Sequence, residues 1–293
     1  MSSLIEIRSR LNEYIESELQ LESIHSPRLV EAMRYSVLGG GKRLRGCLVC
    51  AAATSLGSTL QQSLATAAAV EYIHAYSLVH DDLPDMDDAD TRRGKPSCHV
   101  AFGPAIAILV GDALQPLAFS AIAGCEELSE WQRVTCVAIL GDASGWNCMV
   151  GGQAMDMESE GKAIEDATVL ATLNDAKTGA LFRACTELGA TIAGYKQDSR
   201  VFHLMSKFGH RLGAAFQIAD DVLDATGSTE GLGKPAGADL VAGKRNFVSY
   251  LGILGAKEKA NTILKDALAV LQELRLEDSM LAEIAELSVN RTA

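Results

Sequence analysis

Six aspartates fall within ten residues, in the run Asp81-Asp82-Leu83-Pro84-Asp85-Met86-Asp87-Asp88-Ala89-Asp90. A nearly continuous apolar segment, Thr66 to Val79, leads into them. An acidic run is ordinarily a solvated surface. At the end of a buried helix, however, like charges repel at a cost that a bound divalent cation removes. A second set, Asp220-Asp221-Val222-Leu223-Asp224, follows Phe216-Gln217-Ile218. Asp220 and Asp224 lie four apart and so share a helix face. Two such sets facing each other suit magnesium, which takes few protein carboxylates and completes its octahedron with water and phosphate oxygens. A diphosphate is the natural third party.

The basic residues agree. Gly39-Gly40-Gly41-Lys42-Arg43-Leu44-Arg45 is a glycine turn followed by cations, and Arg92-Arg93-Gly94-Lys95 follows the first acidic set at once. Arginine forks match phosphate oxygens and lysine adds point charge. Either cluster alone could be a solvated turn; beside so dense an acidic set, both read as diphosphate ligands.

These groups must be held by helices, because helical spacing is almost continuous. Leu4, Ile7, Leu11, Tyr14 and Ile15 share one face. Leu170, Leu173, Leu181, Ala184 and Leu188 form a second stripe, and Leu264, Leu268, Leu271 and Leu274 a third. Val134 to Leu140 is one short strand candidate, although helical spacing surrounds it. Leu56-Gly57-Ser58 marks a turn between two buried helices. Thr66 to Val79, apolar nearly all round, predicts a central helix, on which Glu71 and His74 need a reason to exist. Pro84 and Pro96 bracket the acidic loop. Gly227, Gly231, Gly233, Gly237 and Gly243 suggest a lid. The expectation is an all-α fold, a single domain over residues 1–293 with ten or so helices around a cavity.

Composition excludes some classes. A formal net charge of −12 disfavours nucleic-acid binding. Seven cysteines, an odd number in mostly apolar surroundings, suit free thiols in a reducing compartment, and the Cys47/Cys50 pair reads as helix packing. The uncharged stretch Gly46 to Val70 holds eight Ser, Thr and Gln residues and makes a poor membrane span. A cytoplasmic protein with no stable membrane insertion is expected.

In order along the chain, Gly40-Gly41-Lys42-Arg43-Leu44-Arg45, the two acidic sets, Arg92-Arg93-Gly94-Lys95-Pro96, Gly111-Asp112-Ala113-Leu114, Gly151-Gly152-Gln153, Lys177-Thr178-Gly179-Ala180-Leu181 and Leu232-Gly233-Lys234 resemble the trans-prenyltransferase, or polyprenyl synthetase, family in its bacterial farnesyl diphosphate synthase branch. The resemblance implies an isoprenoid synthase-like helical bundle, a homodimer, and addition of isopentenyl diphosphate to dimethylallyl and geranyl diphosphates. The implied product is farnesyl diphosphate, with geranylgeranyl diphosphate or a non-catalytic partner subunit as alternatives. It also implies three magnesium ions, with manganese as a substitute. Asp81, Asp82 and Asp87, with Asp220, Asp221 and Asp224, would form the metal-binding sets. Lys42, Arg45, His74 and Arg93 would bind isopentenyl diphosphate. Arg92, Lys177, Lys234 and Lys244 would bind the allylic diphosphate, while Thr178 and Gln217 face the developing cation. Tyr76 and Ser77 would set chain length, Tyr76 as a floor.

Four features depart from the family pattern. Gly46 stands where proline is common and is expected to loosen its turn. Asp85 competes with Asp87 as a ligand. Pro116 is expected to interrupt its helix. Lys244-Arg245-Asn246-Phe247 replaces the usual Lys-x-Thr-Tyr.

Overall fold

The computed structural model describes residues 3–20, 25–159, 167–226 and 246–290. Its helices are α1 (Leu4–Glu18), α2 (Pro27–Leu38), α3 (Leu44–Ser55), α4 (Leu60–Asp81), α5 (Cys98–Phe102), α6 (Pro104–Ala123), α7 (Glu130–Ser144), α8 (Met149–Ser159), α9 (Ala167–Asn174), α10 (Ala180–Ile192), α11 (Arg200–Thr226), α12 (Phe247–Glu273) and α13 (Met280–Val289). The architecture is all-α, as the spacing predicts. One hydrophobic core joins residues from Ile7 in α1 to Ala285 in α13.

Helix α4 is its axis. Thr59 and Gln62 form a capping box at its start, closing two orphan backbone donors. Val70, Tyr72 and Ile73 are fully enclosed, because α1, α3, α6 and α10 all pack on this helix. The scarcity of charge before Asp81 is thus explained: every residue from Ser63 to Ile73 is buried. The preceding turn at 56–59 is where the sequence places it, with Gly57 at φ 97°.

Three expectations are corrected. Val134 to Leu140 lies inside α7, whose Ser129/Gln132 capping box sets the whole segment helical. Helix α6 runs straight through Pro116. Proline there removes one amide donor, and packing of α6 along α4 outweighs that local cost. The stripe from Leu170 to Leu188 is not one helix: α9 and α10 are joined by a π-helical turn, Asp175–Gly179. The described residues also hold one strand pair that the sequence reading lacked, β1 (Thr91–Arg92) with β2 (Lys95–Pro96).

Helix α6 is long and apolar enough to cross a membrane by length and composition. Ala107, Val110, Leu114, Ala118 and Ile122 are nonetheless buried in the core, while Ile108 and Leu109 on its other side are exposed. All seven cysteines are free, and burial pushes the Cys47 and Cys50 thiols up to about 12, as expected of inert packing groups.

Candidate active site

The basic rim is built on the turn before α3. Arg43 adopts a left-handed conformation, φ 51°, and is only 6% exposed. Its guanidinium donates to Asn12 Oδ1 at 2.9 Å and to the Val37 carbonyl at 2.6 Å, and pairs with Glu71 at 3.5 Å. Arg43 is therefore a strut that leaves Lys42 exposed on the turn. Gly46 does not loosen this turn. Its amide donates to Glu71 Oε1 at 2.8 Å, a bond that proline could not make. A Cβ at Gly46 would sit 2.5 Å from Leu11 Cδ2, so glycine also permits the close packing. Glu71, the odd polar group on α4, thus holds both ends of the turn.

His74 lies one turn further along α4. Its Nε2 is 3.2 Å from Arg45 Nη1. Burial, then the charge of Arg45, holds its pKa well below the ordinary histidine value, so the ring is neutral and accepts from Arg45. Arg45 also lies over the Phe182 ring, 5.0 Å from its centroid.

The β1–β2 hairpin supplies the other cations. Arg93 and Gly94 occupy its turn with φ 55° and 74°, the positive values that a tight two-residue hairpin demands. Arg93 reaches back to donate to the Gly40 carbonyl, joining the hairpin to the glycine turn. Arg92 pairs with Asp82 through Nε and Nη2. Burial opposes the Arg92 charge, but the bonds to Asp82 outweigh it and raise its pKa. Arg43, His74, Asp82, Arg92 and Arg93 line one pocket.

The acidic loop folds back on the end of α4. The Asp87 amide donates to the Asp81 carbonyl at 2.8 Å and the Ala89 amide to the Asp82 carbonyl at 3.2 Å. Burial, against the opposing pull of Lys177, raises the Asp81 carboxyl to about 6, and Asp87 adds to the rise. Asp82 is buried against Arg92, whereas Asp85 and Asp87 are exposed. In the second set Asp220 is exposed and Asp224 buried. Asp221 accepts from Gln217 Nε2 at 3.0 Å and from the Phe247 amide at 2.9 Å. Asn246 caps α12 through a reciprocal bond with Ser249. The variant stretch at 246–247 therefore works as a helix start docked on Asp221.

A cavity of about 430 Å³ opens beside Asp81, lined by Tyr76, Ser77, Met86, Met149, Gln153 and Met157 together with Lys177 and Thr178; Gln217, Asp220, Asp221 and Asp224 are not among its lining residues. Its size is that of an ordinary ligand pocket. Lys177 and Thr178 stand on the π-turn, a feature that commonly marks functional positions because the widened turn re-aims side chains and frees carbonyls. Lys177 Nζ is 2.6 Å from Asp156 Oδ2 on α8. Helix α8 comes this close because Gly152 has no side chain; a Cβ there would lie 2.7 Å from Lys177 Cα. Tyr76 is 5% exposed, and burial followed by the charge of Asp81 lifts its hydroxyl to about 12.

Donor chemistry at the mouth fits a hard divalent cation. Burial makes the Asp81 carboxylate costly even with Lys177 and Arg92 near it, and a bound cation would offset that cost. Among the described residues no group of three or more His, Cys, Asp or Glu converges on one point. Magnesium takes few protein carboxylates and completes its shell with water and phosphate oxygens.

The structure thus brings Arg45, His74, Arg92, Arg93, Asp81, Lys177 and Thr178 around adjoining pockets. Lys234, Lys244 and the glycine-rich segment lie outside the described residues. Sequence reasoning gave no role to Asp156 and none to Glu71. A clue to Asp156 was present, since Gln153 and Asp156 are three apart and share a helix face.

Comparison with known proteins agrees with this geometry. The polyprenyl synthetase family model matches residues 26–285. The farnesyl diphosphate synthase of Escherichia coli (strain K12) is 46% identical over 268 residues, covering 90% of this chain and 89% of that one. A crystal structure of an FPP/GFPP synthase from Zymomonas mobilis is 35% identical and superposes with a TM-score of 0.85, over 99% of this chain and 97% of that one. A geranyltransferase from Helicobacter pylori, complexed with magnesium and isoprenyl diphosphate, is 31% identical with a TM-score of 0.85, over 99% and 96%. On its sequence and its fold, the chain belongs to the polyprenyl synthetase family.

Proposed function

We propose that this prenyltransferase adds isopentenyl diphosphate to dimethylallyl and then geranyl diphosphate, releasing farnesyl diphosphate. The observation that carries the proposal is one cavity with Asp81 and Lys177 at its lining, a cluster of arginines in the adjoining pocket, and the bulky Tyr76 among its walls.

Arg93, Arg45, Lys42 and neutral His74 bind the diphosphate of isopentenyl diphosphate. Arg92, Lys177, Lys234 and Lys244 bind the allylic diphosphate. Bound magnesium supplies Lewis-acid neutralisation of the leaving diphosphate, with Asp81, Asp87 and Asp220 as holders of three ions and the other aspartates in support. The fold-back of Asp87 onto Asp81 favours Asp87 over Asp85 in this role. The allylic carbon–oxygen bond breaks, and its electron pair leaves with the diphosphate. Cations fixed around that diphosphate favour the charge where it develops. The isopentenyl double bond then forms the new carbon–carbon bond, and the proton lost goes to the departing diphosphate.

The chain's task is to steady and shield an allylic cation. Gln217 donates one amide proton to Asp221, so its carbonyl oxygen is the end suited to face positive charge. Thr178 offers a hydroxyl dipole. Met86, Met149 and Met157 keep water from the cation. Tyr76, with Ser77 beside it, stops growth at fifteen carbons.

We also read the chain as one cytoplasmic domain, acting as a homodimer. Helices from both ends share a core, and a second copy would cover the exposed Ile108 and Leu109. The test is incubation with labelled isopentenyl diphosphate and each allylic starter, resolving products by length. A fifteen-carbon product supports the proposal. A twenty-carbon product would make it a geranylgeranyl diphosphate synthase, and no product with any starter would contradict it.

A further inference from the structure

His80 is absorbed neither by the diphosphate sites nor by the acidic loop. It lines the cavity one helical turn from Tyr76, and so on the same face. The two rings meet edge to face, with centroids 5.8 Å apart at 80°. Behind His80 stands α6. His80 Nε2 is 3.1 Å from the Ile108 carbonyl oxygen. A carbonyl can only accept, so Nε2 is the protonated nitrogen and donates. The ring fits there because position 111 is glycine. A Cβ at Gly111 would overlap the imidazole, lying 2.5 Å from Cε1. His80 is thus wedged between Tyr76 and a notch in α6, held by a hydrogen bond on the far side.

We propose that His80, seated in the Gly111 notch, is a positioning residue that braces Tyr76 and thereby determines product length. The proposal rests on reading Tyr76 as the floor of the cavity. A floor made of one aromatic ring resists the growing chain only if the ring cannot swing aside. Packed interiors leave little slack, so the side chain behind the ring decides its position. Here that side chain is His80, and its own position is fixed by Ile108 and by the missing side chain at Gly111. Shortening His80 opens space between Tyr76 and α6. Tyr76 can then retreat into it, and the cavity deepens toward α6. A methyl group at position 111 would refill part of the same space.

The test compares Tyr76→Ala, His80→Ala, His80→Asn and the double variant His80→Ala with Gly111→Ala. Each is supplied with geranyl diphosphate and isopentenyl diphosphate, and the ratio of twenty- to fifteen-carbon product is read. Total rate is a poor readout, because Asp81 is adjacent to His80. His80→Ala is expected to raise the ratio roughly tenfold, the scale on which a pocket discriminates small changes in apolar length. The added Gly111→Ala should bring it back toward the native value. His80→Asn keeps a donor but not the ring depth and should fall between; it carries the test if His80→Ala does not fold. A native ratio in both His80 variants, with lengthening in Tyr76→Ala, would overturn the brace while leaving the floor intact. A native ratio in Tyr76→Ala as well would remove the floor and the brace together. A ratio that stays high in the double variant would overturn the role given to Gly111.

Discussion

Lys177 shows how far one residue's role depends on its surroundings. It sits 2.6 Å from Asp156, at a cavity edge, on a turn that aims it inward. Lys177→Ala is expected to lower kcat about a hundredfold or more, the usual scale for removing one preorganised charge from a developing anion. Steady-state kinetics with geranyl diphosphate checks this; an unchanged kcat would move the allylic diphosphate elsewhere. Tyr76→Ala is expected to lengthen the product, measured by chromatography of the dephosphorylated alcohols. At this scale the sequence was most legible where chemistry is contiguous. The aspartates, Arg92-Arg93 and Lys177-Thr178 could be read directly. Glu71 and Asp156 could not, because their partners lie 25 and 21 residues away and meet them only after folding. The reading of Gly46 failed for the same reason: its partner is Glu71.

Elements decide whether those residues meet. The π-turn joins α9 to α10 and packs against α8 and α11. Gly152→Ala is expected to push α8 off Lys177 and to cost roughly 1–3 kcal/mol of stability, as overpacking commonly does. Denaturant unfolding together with activity measures both; an unperturbed variant would show that the contact has slack. The turn is also tied to α11 by His210 Nε2 and Asp175 Oδ1, 3.1 Å apart. Their hydrogen bond lowers the Asp175 pKa and raises that of His210. The Asp175 contribution is present above its ordinary 3.8 and is lost as pH falls through the lowered value. That of His210 is fully present below 6.5 and is lost as pH rises through the raised value. Both groups are about half exposed, so the pair contributes no more than about 1 kcal/mol. His210→Gln should flatten the decline in unfolding midpoint above about pH 6.5. An unchanged slope would place that decline on another group. Periodicity revealed α4 and the terminal stripes because they repeat over many turns. It could not reveal a five-residue π-turn, nor that α6 continues through Pro116, since both are settled by neighbouring helices.

For the whole molecule, the helices make a largely apolar cavity and place unlike charges beside it. An overall charge of −12 coexists with a cluster of arginines because Arg43 and Arg92 are anchored by Glu71 and Asp82. The all-α class and the presence of a cavity were legible because almost every segment carries helical spacing, whereas the part of the lining that α8 contributes, Met149, Gln153 and Met157, was not singled out, since these side chains meet α4 and the π-turn only after folding. The most direct measurement supplies geranyl diphosphate and labelled isopentenyl diphosphate to the purified protein, with EDTA, without it, and with magnesium restored. The expected result is a single addition giving farnesyl diphosphate, abolished by EDTA and recovered with magnesium. Condensation that persists in EDTA, or consumption of the allylic diphosphate without incorporation of isopentenyl label, would contradict the account.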